Sequence, residues 1–289
     1  TIQTCTITDG TPTQIYPPGC EIGSFSSNRM DYGLRFKAEQ TLQSENAGAI
    51  DAEVVNLSCA GLFDKGSNLS HYRRLIDVEA NGNSKRQHDS PPTFDRIARV
   101  DLELSACANL DGGAGSGPME TGWNYGLYAS SGFVDGIFPE RLNDYASRFR
   151  VTMVDCSFHD FRRVGIYGEG GGNNSNGFDT RAQFEFDPGV GGTTGVTVTR
   201  TGSHLGSNAP TDETGTGIYL KTGDENGYAS LYMTESLVSD NWNDGVYLKG
   251  AGSDPINESS WPSGAYLRAE NCVVESNRGH GFNLEAISG

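Results

Sequence analysis

The sequence predicts an all-β solenoid, a body made by stacking one short strand-rich unit on itself, and three observations predict it. The first is a repeat. Tyr232 to Leu248 carries Met233, Ser236, Val238, Asn241, Gly245, Val246 and Leu248 at the spacing at which Leu267 to Leu284 carries Ala269, Cys272, Val274, Asn277, Gly281, Phe282 and Leu284. The second is the alternation of apolar and polar residues within each copy, which is the strand period, interrupted by glycine at corners. The third is composition: 39 glycines and a hydrophobic fraction of only 35% suit many short strands joined by polar turns and do not suit a helical bundle. A unit this short cannot bury its apolar side chains alone, so copies must stack into one continuous core.

Taken from the N-terminus, the copies follow one another along the chain. Ile2, Cys5 and Ile7 open one that Gly33-Leu34-Arg35-Phe36 completes after an insertion. Val54 to Cys59 with Leu75 to Val78 is looser. Leu104 and Cys107 join Gly126-Leu127-Tyr128, and Met153, Cys156, Phe158, Gly165 and Ile166 make a clear unit. Val196 to Thr201 with Gly217-Ile218-Tyr219-Leu220 precedes the two copies at the C-terminal end, for about seven turns in all. The uneven distance between copies is assigned to insertions at one corner: Ala38 to Ala52, Glu79 to Pro92, Gly168 to Gly195 and Gly250 to Gly264. No stretch reads as a linker, so residues 1–289 are expected to form one domain.

The shared pattern, I-x-x-[N/C/S]-x-[I/V/F]-x-x-N-x-x-x-G-[I/V]-x-L, resembles that of the right-handed parallel β-helix proteins, the pectate-lyase-like solenoids. The resemblance implies three parallel sheets along a prism, with each coil giving one strand to each. It carries little information about function, because such proteins include polysaccharide lyases and hydrolases, tailspikes, adhesins and surface proteins. One fold serves many activities, so the side chains of a site must decide between them.

Thirty-seven acidic against 21 basic residues give a formal charge of −16, which repels nucleic acid and anionic membrane surfaces. No run approaches the 18 or so apolar residues of a membrane-spanning helix, so membrane insertion is not expected. The setting expected is secreted or cell-surface, and the chain opens directly in a strand-like run, Thr1 to Thr4. Asn68, Asn173 and Asn257 each start a glycosylation triplet in a polar stretch. None of the six cysteines forms a C-x-x-C pair, which argues against zinc and thioredoxin-like chemistry.

Three columns emerge when the copies are stacked. Cys5, Cys59, Cys107, Cys156, Ser236 and Cys272 fall at one turn position, where they suit a buried packing ladder, with disulfides between neighbouring coils or a reactive thiol as other readings. Cys20 lies outside that column, and Cys5 with Cys20 is the disulfide expected. The middle residue of G-I-x-L points outward and reads Tyr128, Tyr167, Tyr219, Tyr247 and Asn283. Tyrosines so placed bind sugar rings through their faces or stabilise the sheet by stacking on one another. Two positions on come Lys37, Glu169, Lys221, Lys249 and Glu285, of which Lys221 and Lys249 are the candidates for proton abstraction in a lyase, against a solvated charge ladder. A hydrolase needs two carboxylates across a cleft, and Asp179, Glu185 and Asp187 are available in the long insertion.

The five histidines make no metal-binding motif. No cofactor is expected, with Ca²⁺ the one ion that acidic loops such as Asp224-Glu225-Asn226 would suit, though they lack a calcium-loop spacing. No catalytic residues are assigned. The function expected first is structural, a subunit of a head-to-tail filament or cell-surface assembly, because a solenoid must cover its end coils and no capping helix is visible. In that joint Cys272 meets Cys5, Val274 meets Ile7, Leu284 lies over Phe36, and Glu285 approaches Lys37. The alternative is a secreted polysaccharide lyase, hydrolase or binding module acting on the tyrosine face.

Overall fold

The structure is a computed structural model that describes residues 2–3, 6–7, 25–26, 29–30, 32–39, 48–60, 73–82, 98–113, 122–133, 145–170, 179–188, 195–202, 213–222, 227–251 and 264–287. Within them every regular element is a strand. Twenty-one strands form three parallel sheets of seven, and Phe25–Ser26 pairs with Arg29–Met30 as a separate antiparallel hairpin.

The chain visits the three sheets in a fixed order. Ala98–Ser105, Asn109–Asp111 and Tyr125–Phe133 enter the first, second and third sheets in turn. Tyr145–Val154, Cys156–His159 and Val164–Gly170 then lie beside them in the same order. The result is an all-β body of three parallel sheets, as stacked repeats require.

The bend from the first sheet to the second turns on a single residue in the left-handed region: Asn56, Ala106, Asp155, Glu235 and Asn271, with φ between 47° and 56°. Asn and Asp adopt that conformation at little cost, whereas Ala106 and Glu235 are held there by neighbours. Their amides continue the ladder through the corner, Ala106 N to Val154 O at 2.9 Å and Glu235 N to Glu270 O at 2.9 Å.

The next residue explains most of the cysteine column. The thiols of Cys107, Cys156 and Cys272 and the hydroxyl of Ser236 each donate back to the carbonyl two residues earlier, at 3.5, 3.4, 3.3 and 3.0 Å. A small side chain with one donor closes the bend. Cys59 does not belong to this column. It pairs with Leu110 and takes the inward position continued by Phe158, Val198, Val238 and Val274, while Leu57 follows the left-handed Asn56. Two similar apolar positions, Leu57 and Cys59, lie two residues apart there, and spacing alone does not separate them. Cys5 and Cys20 lie outside the described residues, as do the three glycosylation triplets and Asp224-Glu225-Asn226.

The core fills the space between the sheets with matched volumes. In the third sheet Phe36, Val78, Ala129, Gly168, Leu220, Leu248 and Leu284 succeed one another in register. Gly168 interrupts the series because Phe184 of the first sheet takes its place: a Cβ there would lie 2.3 Å from the Phe184 ring. The preceding glycine column, Gly126, Gly165, Gly217 and Gly245, is set by close approach, since a Cβ on Gly126 would meet Gly165 O at 2.5 Å.

Part of what the sequence suggested as insertion is sheet. Ala49–Val55 and Asp179–Asp187 are strands of the first sheet, so Glu185 and Asp187 stand on a regular surface and not in a loop.

Candidate functional site

The outward face of the third sheet carries the tyrosine column in the expected register: Arg35, Asp77, Tyr128, Tyr167, Tyr219, Tyr247 and Asn283. Strands stand roughly 4.8 Å apart, so rings on successive strands meet face to face. Tyr128 stacks on Tyr167 at 4.5 Å and 9°, and Tyr167 on Tyr219 at 5.6 Å and 5°. Tyr125 packs edge-on against Tyr128 and Tyr167, and the Arg74 guanidinium lies 3.5 Å from the centre of the Tyr128 ring. The column is therefore not the exposed platform anticipated. Tyr167 and Tyr219 are 4% and 7% exposed, and their faces are occupied by one another.

These phenols do not suit proton abstraction either. Burial pushes Tyr128 up to about 12 and raises Tyr167 further, where a base would need the opposite. Tyr167 donates to Glu169 at 2.9 Å and Tyr247 donates to Glu285. In the next column, Lys37, Glu79, Ser130, Glu169, Lys221, Lys249 and Glu285 follow in register. Lys221 is ion-paired to Glu169 at 3.2 Å. The residues read as a lyase pair are thus part of a charge ladder whose signs partly alternate.

At the N-terminal end of this face the sequence reading missed a buried ion cluster. Asp77, fully buried, meets Arg74 at 2.5 Å and Arg35 at 3.1 Å, while Glu79 contacts the same two guanidiniums at 3.3 and 2.9 Å. Burial outweighs both arginines and pushes Asp77 up to about 6. The signal was present as Arg74 three residues before Asp77, with Arg35 one strand away in the Asp77 column. The four charges cancel in number, and the cluster closes the tyrosine stack at one end.

The second sheet presents Asp111, His159 and Asp160, whose ligand atoms all lie within 4.8 Å of one another. His159 Nδ1 stands 2.9 Å from Asp160 Oδ2, and Nε2 stands 2.8 Å from Asn109 Oδ1. A cation already fills the space between these groups. Arg200 donates to both oxygens of Asp160, at 3.0 and 2.6 Å, and its Nη2 also lies 3.2 Å from His159 Nδ1. Burial raises the Asp160 carboxyl, but the hydrogen bonds from His159 and Arg200 prevail and hold it down at about 2. The geometry is that of a closed ion cluster.

The first sheet has the open face. A groove of about 670 Å³ is lined by Asp51, Glu53, Asp101, Glu103, Arg148 and Arg150 among others, with Asp51 beside Asp101 and Glu53 beside Glu103 on adjacent strands. A second hollow of about 230 Å³ follows along the same face, between Glu185, Tyr232 and Arg268. Arg150 bridges toward it through Glu185 at 2.5 Å.

No protein-family model matches the chain, and comparison with characterised proteins and with solved structures yields no match.

The residues expected at an end-to-end joint divide. Leu284 and Glu285 are exposed, and Cys272 and Val274 are half-buried. Phe36 is 1% exposed, and Lys37 beside it is exposed. Ile7 lies in the strand Thr6–Ile7, paired to Cys59.

Proposed function

We propose that this chain is a structural module of the secreted or cell-surface kind, a right-handed parallel β-helix that self-associates through the face formed by its last strands. The observation that carries the reading is a contrast within single columns. Val246 and Leu248 are 0% and 2% exposed, whereas Phe282 and Leu284, their partners one strand further on, are 42% and 62% exposed. Leu267, Cys272 and Val274 on the same face are only partly buried against the core. Side chains whose partners on the preceding strands are buried are exposed or half-buried here among the described residues, beside strand edges that would gain about 0.5–1.5 kcal/mol net per hydrogen bond on pairing. The occupant that matches this face in cross-section is another β-circuit, and the proposal supplies it from a second copy.

The same comparison favours one arrangement. A head-to-tail joint lays Leu284 on Phe36, whose side chain, like those of Leu34 and Ala38, is 1% exposed, whereas the last strands carry exposed apolar side chains that two copies can bury against each other. Two copies meeting through their last strands form a closed isologous pair. Sedimentation velocity across a concentration series tests it. A monomer–dimer equilibrium that Leu284→Asp abolishes, with the fold retained, is the result expected. An open-ended series of oligomers would restore the filament, and a monomer at every concentration would refute self-association.

A further inference from the structure

We propose that the tyrosine stack of the third sheet relays one-electron oxidation, carrying a radical formed at Tyr128 to Tyr247. The rings make an unbroken line. Tyr128 and Tyr167 lie 4.5 Å apart at 9°, Tyr167 and Tyr219 lie 5.6 Å apart at 5°, and Tyr219 meets Tyr247 edge-on at 4.9 Å. Tyr167 and Tyr219 are buried, whereas Tyr128 and Tyr247 are half-buried, so the line meets solvent at its two ends.

Ring packing alone would be served as well by phenylalanine. It does not account for the carboxylates set against the hydroxyls: Tyr167 donates to Glu169 at 2.9 Å, and Tyr247 donates to Glu285. Losing an electron makes a phenol strongly acidic, so oxidation is easiest where a base already holds the hydroxyl proton. Burial, with these carboxylates beside it, raises both hydroxyls and keeps them protonated until that happens. Charge gives the line a direction. The Arg74 guanidinium, 3.5 Å from the centre of the Tyr128 ring, opposes a lasting electron deficit there, whereas Tyr247 has Glu285 and Asp244 as its charged neighbours.

The oxidant is an oxygen-centred radical of the peroxyl class. It takes the hydroxyl hydrogen atom of Tyr128 and becomes a hydroperoxide. Tyr167 then gives an electron to the Tyr128 phenoxyl and its own proton to Glu169, while Tyr128 takes a proton from water. Through Tyr219, Tyr247 gives an electron to the Tyr167 phenoxyl; its proton passes to Glu285, and Glu169 returns its proton to Tyr167. A small thiol closes the cycle at Tyr247. It supplies one electron, releases its proton to water and leaves as a thiyl radical, while Glu285 returns the proton to Tyr247.

The test exposes dilute protein to peroxyl radicals from a water-soluble azo initiator in the presence of a nitroso spin trap, and maps the adducts by mass spectrometry. Tyr266, 53% exposed and outside the stack, is the internal standard. Tyr247 should carry more adduct than Tyr266 although it is the less exposed of the two. Tyr128→Phe and Tyr167→Phe should each remove that excess; both keep the ring, and circular dichroism checks that they remain folded. Glu285→Gln, at an exposed position, takes away the proton acceptor and should return the adduct to Tyr128. The proposal fails if Tyr247 is labelled no more than Tyr266, or if its excess survives Tyr128→Phe or Tyr167→Phe, which would mean that Tyr247 is oxidised directly. An excess that survives Glu285→Gln would remove the proton step and the relay with it.

Discussion

Leu248 and Leu284 occupy one column of the third sheet, and replacing each by alanine measures what covers the last strands. Leu248 is 2% exposed, so Leu248→Ala removes a fully packed side chain and leaves a cavity, for a loss of about 2–5 kcal/mol. Leu284 is 62% exposed. About two fifths of a burial worth roughly 1.5–3 kcal/mol is then at stake, and Leu284→Ala should cost about 1 kcal/mol in an isolated chain. In a pair joined through this face Leu284 is buried like Leu248, and the cost should approach that of Leu248→Ala. Urea unfolding at protein concentrations about a hundredfold apart separates these cases, because only a contact between copies makes apparent stability depend on concentration. The expected outcome is a cost for Leu284→Ala that grows with concentration while that of Leu248→Ala does not. A constant small loss would refute burial of the face by a second copy. A Leu248→Ala loss no larger than that of Leu284→Ala would refute the column assignment itself.

Gly126→Ala should destabilise by about 1–3 kcal/mol, since a Cβ there meets the Gly165 carbonyl at 2.5 Å and the rings of Phe158 and Phe161, and thermal unfolding reads the loss. Asp77 gives a pH signature of definite sign. Its folded-state pKa, about 6, lies above the ordinary 3.8, so its contribution to stability is complete below pH 4 and is lost as pH rises through 6. The loss is about 3 kcal/mol at most, and Asp77→Asn should flatten the pH 4–6 portion of the stability curve; an unchanged slope would remove Asp77 as its source. Asp160 has the opposite sign. Its contribution, held by His159 and Arg200, is present above the ordinary range and fades as pH falls toward 2, and Arg200→Ala should reduce that acid-side loss in the same titration. Among the described cysteines, Cys272 should react with a thiol reagent in the folded monomer and be protected when copies pair through the last strands, whereas Cys59, Cys107 and Cys156 are buried and should react only on unfolding.

Periodicity alone was enough to determine the all-β class, the stacking of copies and the register of the columns through Phe36, Val274, Tyr167 and Glu285, because a core-facing strand must repeat its apolar positions at every pass. The same logic failed at Cys59, where two apolar positions two residues apart both fit the pattern and only the strand pairing with Leu110 distinguishes them. It also under-read the first sheet at Ala49–Val55 and Asp179–Asp187, whose outward charges dilute the apolar signal. What the tertiary structure decided is which outward groups are free. Sequence spacing places Tyr128, Tyr167 and Tyr219 in one line, but whether they face water or each other depends on ring orientation and on what lies beside them. Asp77 gathers Arg35 from about forty residues upstream, Lys221 is taken by Glu169, and Arg200 fills the site between Asp160 and His159. Such pairings join residues forty or more positions apart across neighbouring strands. Hydropathy has no term for them, because electrostatic contact and burial depend on distance in space and not on position along the chain.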